Sequence, residues 1–176
     1  MAVAIYYFDG HSGISDPDNV WSNDANAANG STSNSALLGS YTIHSGASNT
    51  SRELILKGTT ASAVADTEVE AVEVRAYTSD PAGNFMNTEV FTSGGVGVGE
   101  SLGTIIKTAT GSGWSDYLAL TAPTGGWSWS VVPDLWSISW FNGSVGPVPP
   151  AVSMVEIKVT YSPISTSSGN MLMMFM

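Results

Sequence analysis

Hydrophobic residues fall on every second position in several short windows of this chain, most regularly at Trp136, Ile138 and Trp140, with Ser137 and Ser139 between them. A period of two belongs to a β-strand with one covered face and one wet face. The pattern therefore predicts Trp136, Ile138 and Trp140 on the buried side. Trp127 and Trp129 alternate with Ser128 and Ser130 in the same way. Residues 121–142 hold four of the six tryptophans; Pro123, Gly125 and Gly126 open the stretch and Asn142-Gly143 closes it. Those ends carry turn chemistry. Large aromatic side chains bury much area at low entropic cost, so this stretch is expected to anchor a core.

Other windows read as strands too. Residues 2–8 are a short apolar run ended by Asp9-Gly10. Residues 36–43 and 53–57 are brief β-like runs. In 67–77, Val72, Val74 and Ala76 point one way, while Glu73, Arg75 and Tyr77 point the other. The same rule puts Glu70 with Val72 and Val74. Residues 89–92, 102–107 and 114–120 are further short strands, and Trp114, Asp116, Leu118 and Leu120 would share a face. In 152–161, Val155, Ile157, Val159 and Tyr161 make one face, and Met154, Glu156, Lys158 and Thr160 the other. No window carries a helical period over three turns. The expectation is an all-β fold, an antiparallel β-sandwich of the jelly-roll kind, as a single domain over 1–161. A Ser-rich linker and apolar tail follow at 162–176.

Composition narrows the function classes. The chain has 176 residues, 43% hydrophobic and 11% charged, with a formal net charge of −10 and five basic residues. That length suits one domain with a real core. An electrostatic footprint for nucleic acid needs a Lys/Arg stripe, and attraction to anionic lipid needs the same. Neither partner is expected. Cysteine is absent, which excludes disulfides and thiolate chemistry. The opening MAVAIYYFDG lacks a basic n-region and reads as a strand rather than a signal peptide. No run reaches the roughly 18 apolar residues of a membrane span.

Candidate chemistry is sparse. His11 and His44 have no zinc-ligand spacing, and no Gly-x-Ser-x-Gly elbow is present. Glu70 and Glu73 fall on opposite faces, which does not make the carboxylate pair of a glycosidase. The glycine-rich run 94–103 lacks the Gly-Lys-Ser/Thr ending of a P-loop and reads as a loop that binds no nucleotide. Asp16, Asp18 and Asp24 lie in a polar loop around Trp21. Calcium is the one cofactor such a loop admits, yet the EF-hand pattern is missing and Asp and Asn are ordinary turn residues. The reading is that of a chain with no cofactor, no metal and no enzymatic activity.

The segment Leu118-Ala-Leu-Thr-Ala-Pro-Thr-Gly-Gly-Trp-Ser-Trp, followed by Val131-Val132-Pro-Asp-Leu135, resembles a class of structural virion proteins of tailed bacteriophages. In that class a Pro-x-Gly-Gly-Trp-Thr-Trp motif leads into a strand. Val72-Glu-Val-Arg-Ala-Tyr77 matches its usual upstream strand, and Trp21-Ser-Asn23 its early Trp-x-Asn. The likeness touches residues 15 to 161 in islands, and Ser128 stands where Thr is usual. The resemblance implies a jelly-roll-like subunit located in the virion: a head decoration, fibre or tail component. Its partners would be other copies of itself and other virion proteins. The alternative is a carbohydrate-binding module contacting host-surface glycan, with Trp127 and Trp21 as the stacking residues. The tip Met171, Leu172, Met173, Met174, Phe175 and Met176 is entirely apolar and is expected to be an assembly contact on a neighbouring subunit.

Overall fold

The computed structural model describes residues 1–14, 21–22, 27–28, 36–38, 54–80, 85–93, 98–107, 111–142 and 151–165. The chain is all-β. Among the described residues eleven strands follow in order: β1 (Ala2–Ile14), β2 (Trp21–Ser22), β3 (Ala36–Leu38), β4 (Leu54–Thr59), β5 (Thr67–Asp80), β6 (Phe85–Phe91), β7 (Ser101–Lys107), β8 (Gly111–Trp114), β9 (Leu118–Ala119), β10 (Trp136–Asn142) and β11 (Ala151–Pro163). Their pairings are antiparallel. Among the described residues, no helix is long and apolar enough to cross a membrane.

One strand ties the sheet together. Residues 2–7 of β1 pair with β11, and Phe8 to Ile14 pair with β4. On one side of this crossing lie β11 and β5, with β8 and β9 on the far edge of β5. On the other side the order runs β4, β10, β6, β7. The sheet thus curls on itself, and its concave side holds one core. Phe8, Leu54, Leu56, Val72, Val74, Ala76, Val155, Ile157 and Val159 meet there. The alternation read over 72–77 of β5 and 154–160 of β11 is the one observed.

Glycine permits the two halves to approach. A Cβ at Gly103 of β7 would lie 3.2 Å from Leu118 Cδ2 and 3.3 Å from Leu120 Cδ2, across the core. The position belongs to a strand, so the loop expected at 94–103 gives way to β7 from Ser101 onward. Residues 94–97 lie outside the described residues.

Three local expectations are corrected. First, β10 presents its serines inward. Ser137 pairs with Leu56 and Ser139 with Leu54, so the serines join the leucine row that faces the core. Ser137 and Ser139 are fully buried, and Trp136 and Trp140 are half-buried on the convex face beside the buried Ile138. The strand is central, paired on both edges by β4 and β6, and it buries residues on both faces, Ser137 and Ser139 on one and Ile138 on the other, so polarity alone does not tell the faces apart. Second, Trp127 lies in an irregular stretch and Trp129 in a turn, neither in a strand. Third, Glu70 is exposed. A register shift between Thr160 and Tyr161 leaves Glu70 as the extra residue, which turns Val69 into the core instead.

Candidate functional site

The segment between β9 and β10 is built of successive turns. Gly126 N–H donates to Pro123 O at 2.8 Å, and Gly125 sits at the third position with φ 97°. That is a type II turn, whose third residue needs a positive φ. Val131 N–H then donates to Ser128 O at 3.1 Å, and Val132–Asp134 form a 3-10 turn with Pro133 inside it. Thr59 Oγ1 donates to Val132 O, and Gly58 N–H donates to Leu135 O, which fastens this turn to the end of β4.

Both tryptophans of this segment pack against the core from its end. Trp129 is held by its indole N–H, which donates to Thr67 Oγ1 at 3.0 Å. Its ring meets Tyr161 and Tyr6 edge-on, with centroids 5.5 and 6.4 Å away. Trp127 is half-buried. The Pro-x-Gly-Gly-Trp-Ser-Trp residues therefore close one end of the curled sheet.

An open cleft of about 280 Å³ lies beside this turn, lined by Thr92, Glu100, Pro123, Thr124, Ser130 and Asp134 among others. Glu100 holds its rim together. Its carboxylate accepts from Thr124 N–H at 2.9 Å, and its own N–H donates to Thr92 Oγ1 at 2.7 Å. Hydroxyls and two carboxylates line it together with the apolar Pro123 and Val131, a mixture that suits hydrogen bonding to a polar ligand.

A second cluster covers the convex side of β5 and β11. Glu156, only 6% exposed, accepts from Arg75 Nε at 2.7 Å and from the Tyr117 hydroxyl. Lys158 pairs with Glu73. The Arg75 guanidinium lies 4.1 Å from the Trp114 ring centroid and 4.6 Å from that of Tyr117, while Lys158 Nζ lies 4.3 Å from Tyr117. Tyr77 meets Trp114 edge-on at 5.3 Å. Tyr117 reaches this place because the chain leaves the sheet at Ser115. There the Ser115 hydroxyl takes the Ala76 N–H, and Ser115 N–H donates to Ala76 O. The break also exposes Asp116, which removes the need for a partner on a shared strand face. Burial, and then the bond to Glu156, push the Tyr117 phenol up to about 12. Every charge in the cluster has an opposite partner, so it is a cross-strand brace with flat aromatic surfaces rather than an acid–base site.

Sequence reasoning did not assemble this cluster. The available signal was the alternation itself: Glu73 and Arg75 face outward on β5, opposite Lys158 and Glu156 on β11. Such opposed pairs are the unit of cross-strand stabilisation. Tyr117 and Trp114 carried no such signal, because the break at Ser115 decides their placement.

Of the residues singled out for glycan stacking, Trp127 borders the turn that lines the cleft, and Trp21 lies in β2, paired with Leu38. The structure does not bring the two together in any described contact. The tip Met171 to Met176, His44 and the acidic positions of 16–20 and 23–24 lie outside the described residues. Among the described residues no group of three metal-ligating side chains occurs. No protein-family model matches the chain, and no curated protein matches it in sequence.

Proposed function

We propose that the chain is a structural subunit of a bacteriophage virion, a head decoration, fibre or tail component, that works by symmetric self-association. The observation that carries this reading is where the exposed apolar side chains lie. Met1, Val3, Ile5, Val98, Ile106 and Ile164 are 51–93% exposed. Val3, Ile5 and Ile106 lie on the convex side of the sheet, the side that would face other subunits. The residues of the motif islands add support by their roles. Gly125 makes a turn, Trp129 closes the core, and Arg75 braces two strands, all tasks of a scaffold. In this reading the curled sheet is the jelly-roll-like body of the subunit. Light scattering across a range of protein concentrations tests it. A trimer or larger is expected, and a mass that stays at the 18.3 kDa of one chain overturns the reading.

A second reading, carbohydrate binding, rests on the segment that carries the half-buried Trp127: Thr124 before it and Ser130 after it line a cleft edged with hydroxyls and two carboxylates. An aromatic face beside such groups is what a sugar ring needs. A glycan array with the parent and Trp127→Ala proteins tests it, and equal signals from the two would remove Trp127 from the account.

A further inference from the structure

Among the described residues, the first residues of β1 form an open sheet edge. Thr60 N–H donates to Tyr7 O at 2.9 Å, and Tyr7 N–H donates to Thr60 Oγ1 at 3.2 Å. These two bonds lie on the side of β1 away from β11. In an antiparallel ladder a strand's backbone groups alternate in direction, so Val3 and Ile5 point the same way as Tyr7. Among the described residues no strand or loop takes the N–H or C=O of Val3 or Ile5. These two residues are 57% and 51% exposed.

Open edges are normally blunted by a lysine, a proline, a bulge or a covering loop. The stretch Ala2-Val3-Ala4-Ile5 has no charge and no proline, and its register with β11 is regular. It is also an uncharged strip on a molecule of net charge −10. Two copies that repel elsewhere can approach closely along such a strip.

We infer that β1 pairs with β1 of a second copy of this chain, antiparallel across a two-fold axis at Ala4. Val3 then lies opposite Ile5 of the second copy, and Ile5 opposite its Val3. Each of these pairs exchanges two backbone hydrogen bonds, so four bonds satisfy the four free groups on each strand's edge. The two β-branched side chains of each pair meet on the convex face, a favourable cross-strand match. Thr60, already bonded to Tyr7, ends the free edge and fixes the contact as short. A contact of this size is weak alone and gains strength where other contacts hold many copies together. It is isologous, so by itself it stops at two copies and would double any ring formed through other surfaces.

The inference rests on the self-association reading above, and the experiment separates the two. Val3→Lys/Ile5→Lys is compared with the parent and with Ile164→Lys, a control at another exposed apolar position. Sedimentation velocity reads the mass and circular dichroism the fold. The double variant is expected to melt as the parent does and to run at half the parent's mass, with the control unchanged. The chain has no cysteine, so Val3→Cys and Ile5→Cys proteins each carry one thiol. Oxidising an equal mixture should give the mixed disulfide in preference to either homodimer, because only that pairing places the two side chains opposite one another. An unchanged mass in the lysine variant overturns the β1 pairing and leaves self-association standing. If the mass falls only when residues 170–176 are deleted, the apolar tip is the contact instead. A parent that is monomeric at every concentration overturns both.

Discussion

Ser137 and Ser139 stand two residues apart on the same covered face of β10, and their hydroxyls fare differently. Ser139 Oγ is 2.9 Å from Thr88 Oγ1, across to β6. Among the described residues, Ser137 Oγ is buried without a partner. A buried hydroxyl without a bond costs free energy, whereas removing one member of a bonded pair strands the other. Ser137→Ala should therefore raise stability by about 1 kcal/mol, and Ser139→Ala should lower it by about 1 kcal/mol. Urea unfolding midpoints for the two variants check this, and equal shifts would show that the two hydroxyls are in the same state. Tyr117 gives a prediction of another kind. Its phenol lies above the ordinary value of about 10, at about 12. The folded state thus favours the neutral phenol. Its contribution is complete below about pH 10 and is lost as pH rises toward about 12. In a tyrosinate absorbance titration Tyr117 should ionise late, and Tyr117→Phe should delete that late step. The same variant should flatten the fall in melting temperature over that pH window.

At the scale of elements, two glycines with positive φ differ in what surrounds them: Gly103 has φ 152° and Gly125 has φ 97°. Gly103 has leucine side chains of the facing half-sheet within 3.2 and 3.3 Å of a built Cβ, while Gly125 has nothing within 4 Å and a φ of 97°. Gly103→Val should cost about 1–3 kcal/mol through overpacking, with backbone strain from its positive φ added to that. Gly125→Ala should cost about 1 kcal/mol through the positive φ alone. A Leu118→Ala background should soften the Gly103→Val loss and leave the Gly125→Ala loss intact, as double-mutant unfolding would show. The same elements mark what the sequence discloses. β5 and β11 were legible because each has a core face of Val and Ala or Ile and a charged outer face. β10 was legible as a strand but not in its orientation, since it has neighbours on both edges and cover on both faces. The irregular stretch at Trp127 and the turn at Trp129 were hidden by a Trp-Ser alternation that resembles a strand, although Pro123, Gly125 and Gly126 announced a bend just before it. The Glu70 bulge left no trace in the pattern. The brace around Glu156 needed the strand pairing before its charges could be matched.

For the whole molecule, charge and apolar surface pull association in opposite directions. Each copy carries a formal −10, and its sequence pI is about 4.2. Two such copies repel at neutral pH, and the repulsion reaches farther at low ionic strength, where the screening length is about 30 Å at 0.01 M and about 8 Å at 0.15 M. The contact assigned to β1 contains no charged residue, so salt should act on the repulsion and leave the attraction almost untouched. Association should therefore strengthen as salt rises through this range, and strengthen again as pH falls toward the pI and the acidic side chains lose charge. Contacts built from ion pairs would respond to salt in the opposite sense. The ion pairs Arg75–Glu156 and Lys158–Glu73 are already closed within one chain, which leaves them unavailable to reach a neighbour. Sedimentation velocity across a salt series at fixed protein concentration reads the sign directly. A mass that grows with salt fits copies meeting along apolar edges, and a mass that shrinks would place charged pairs at the contact and count against β1 as its centre.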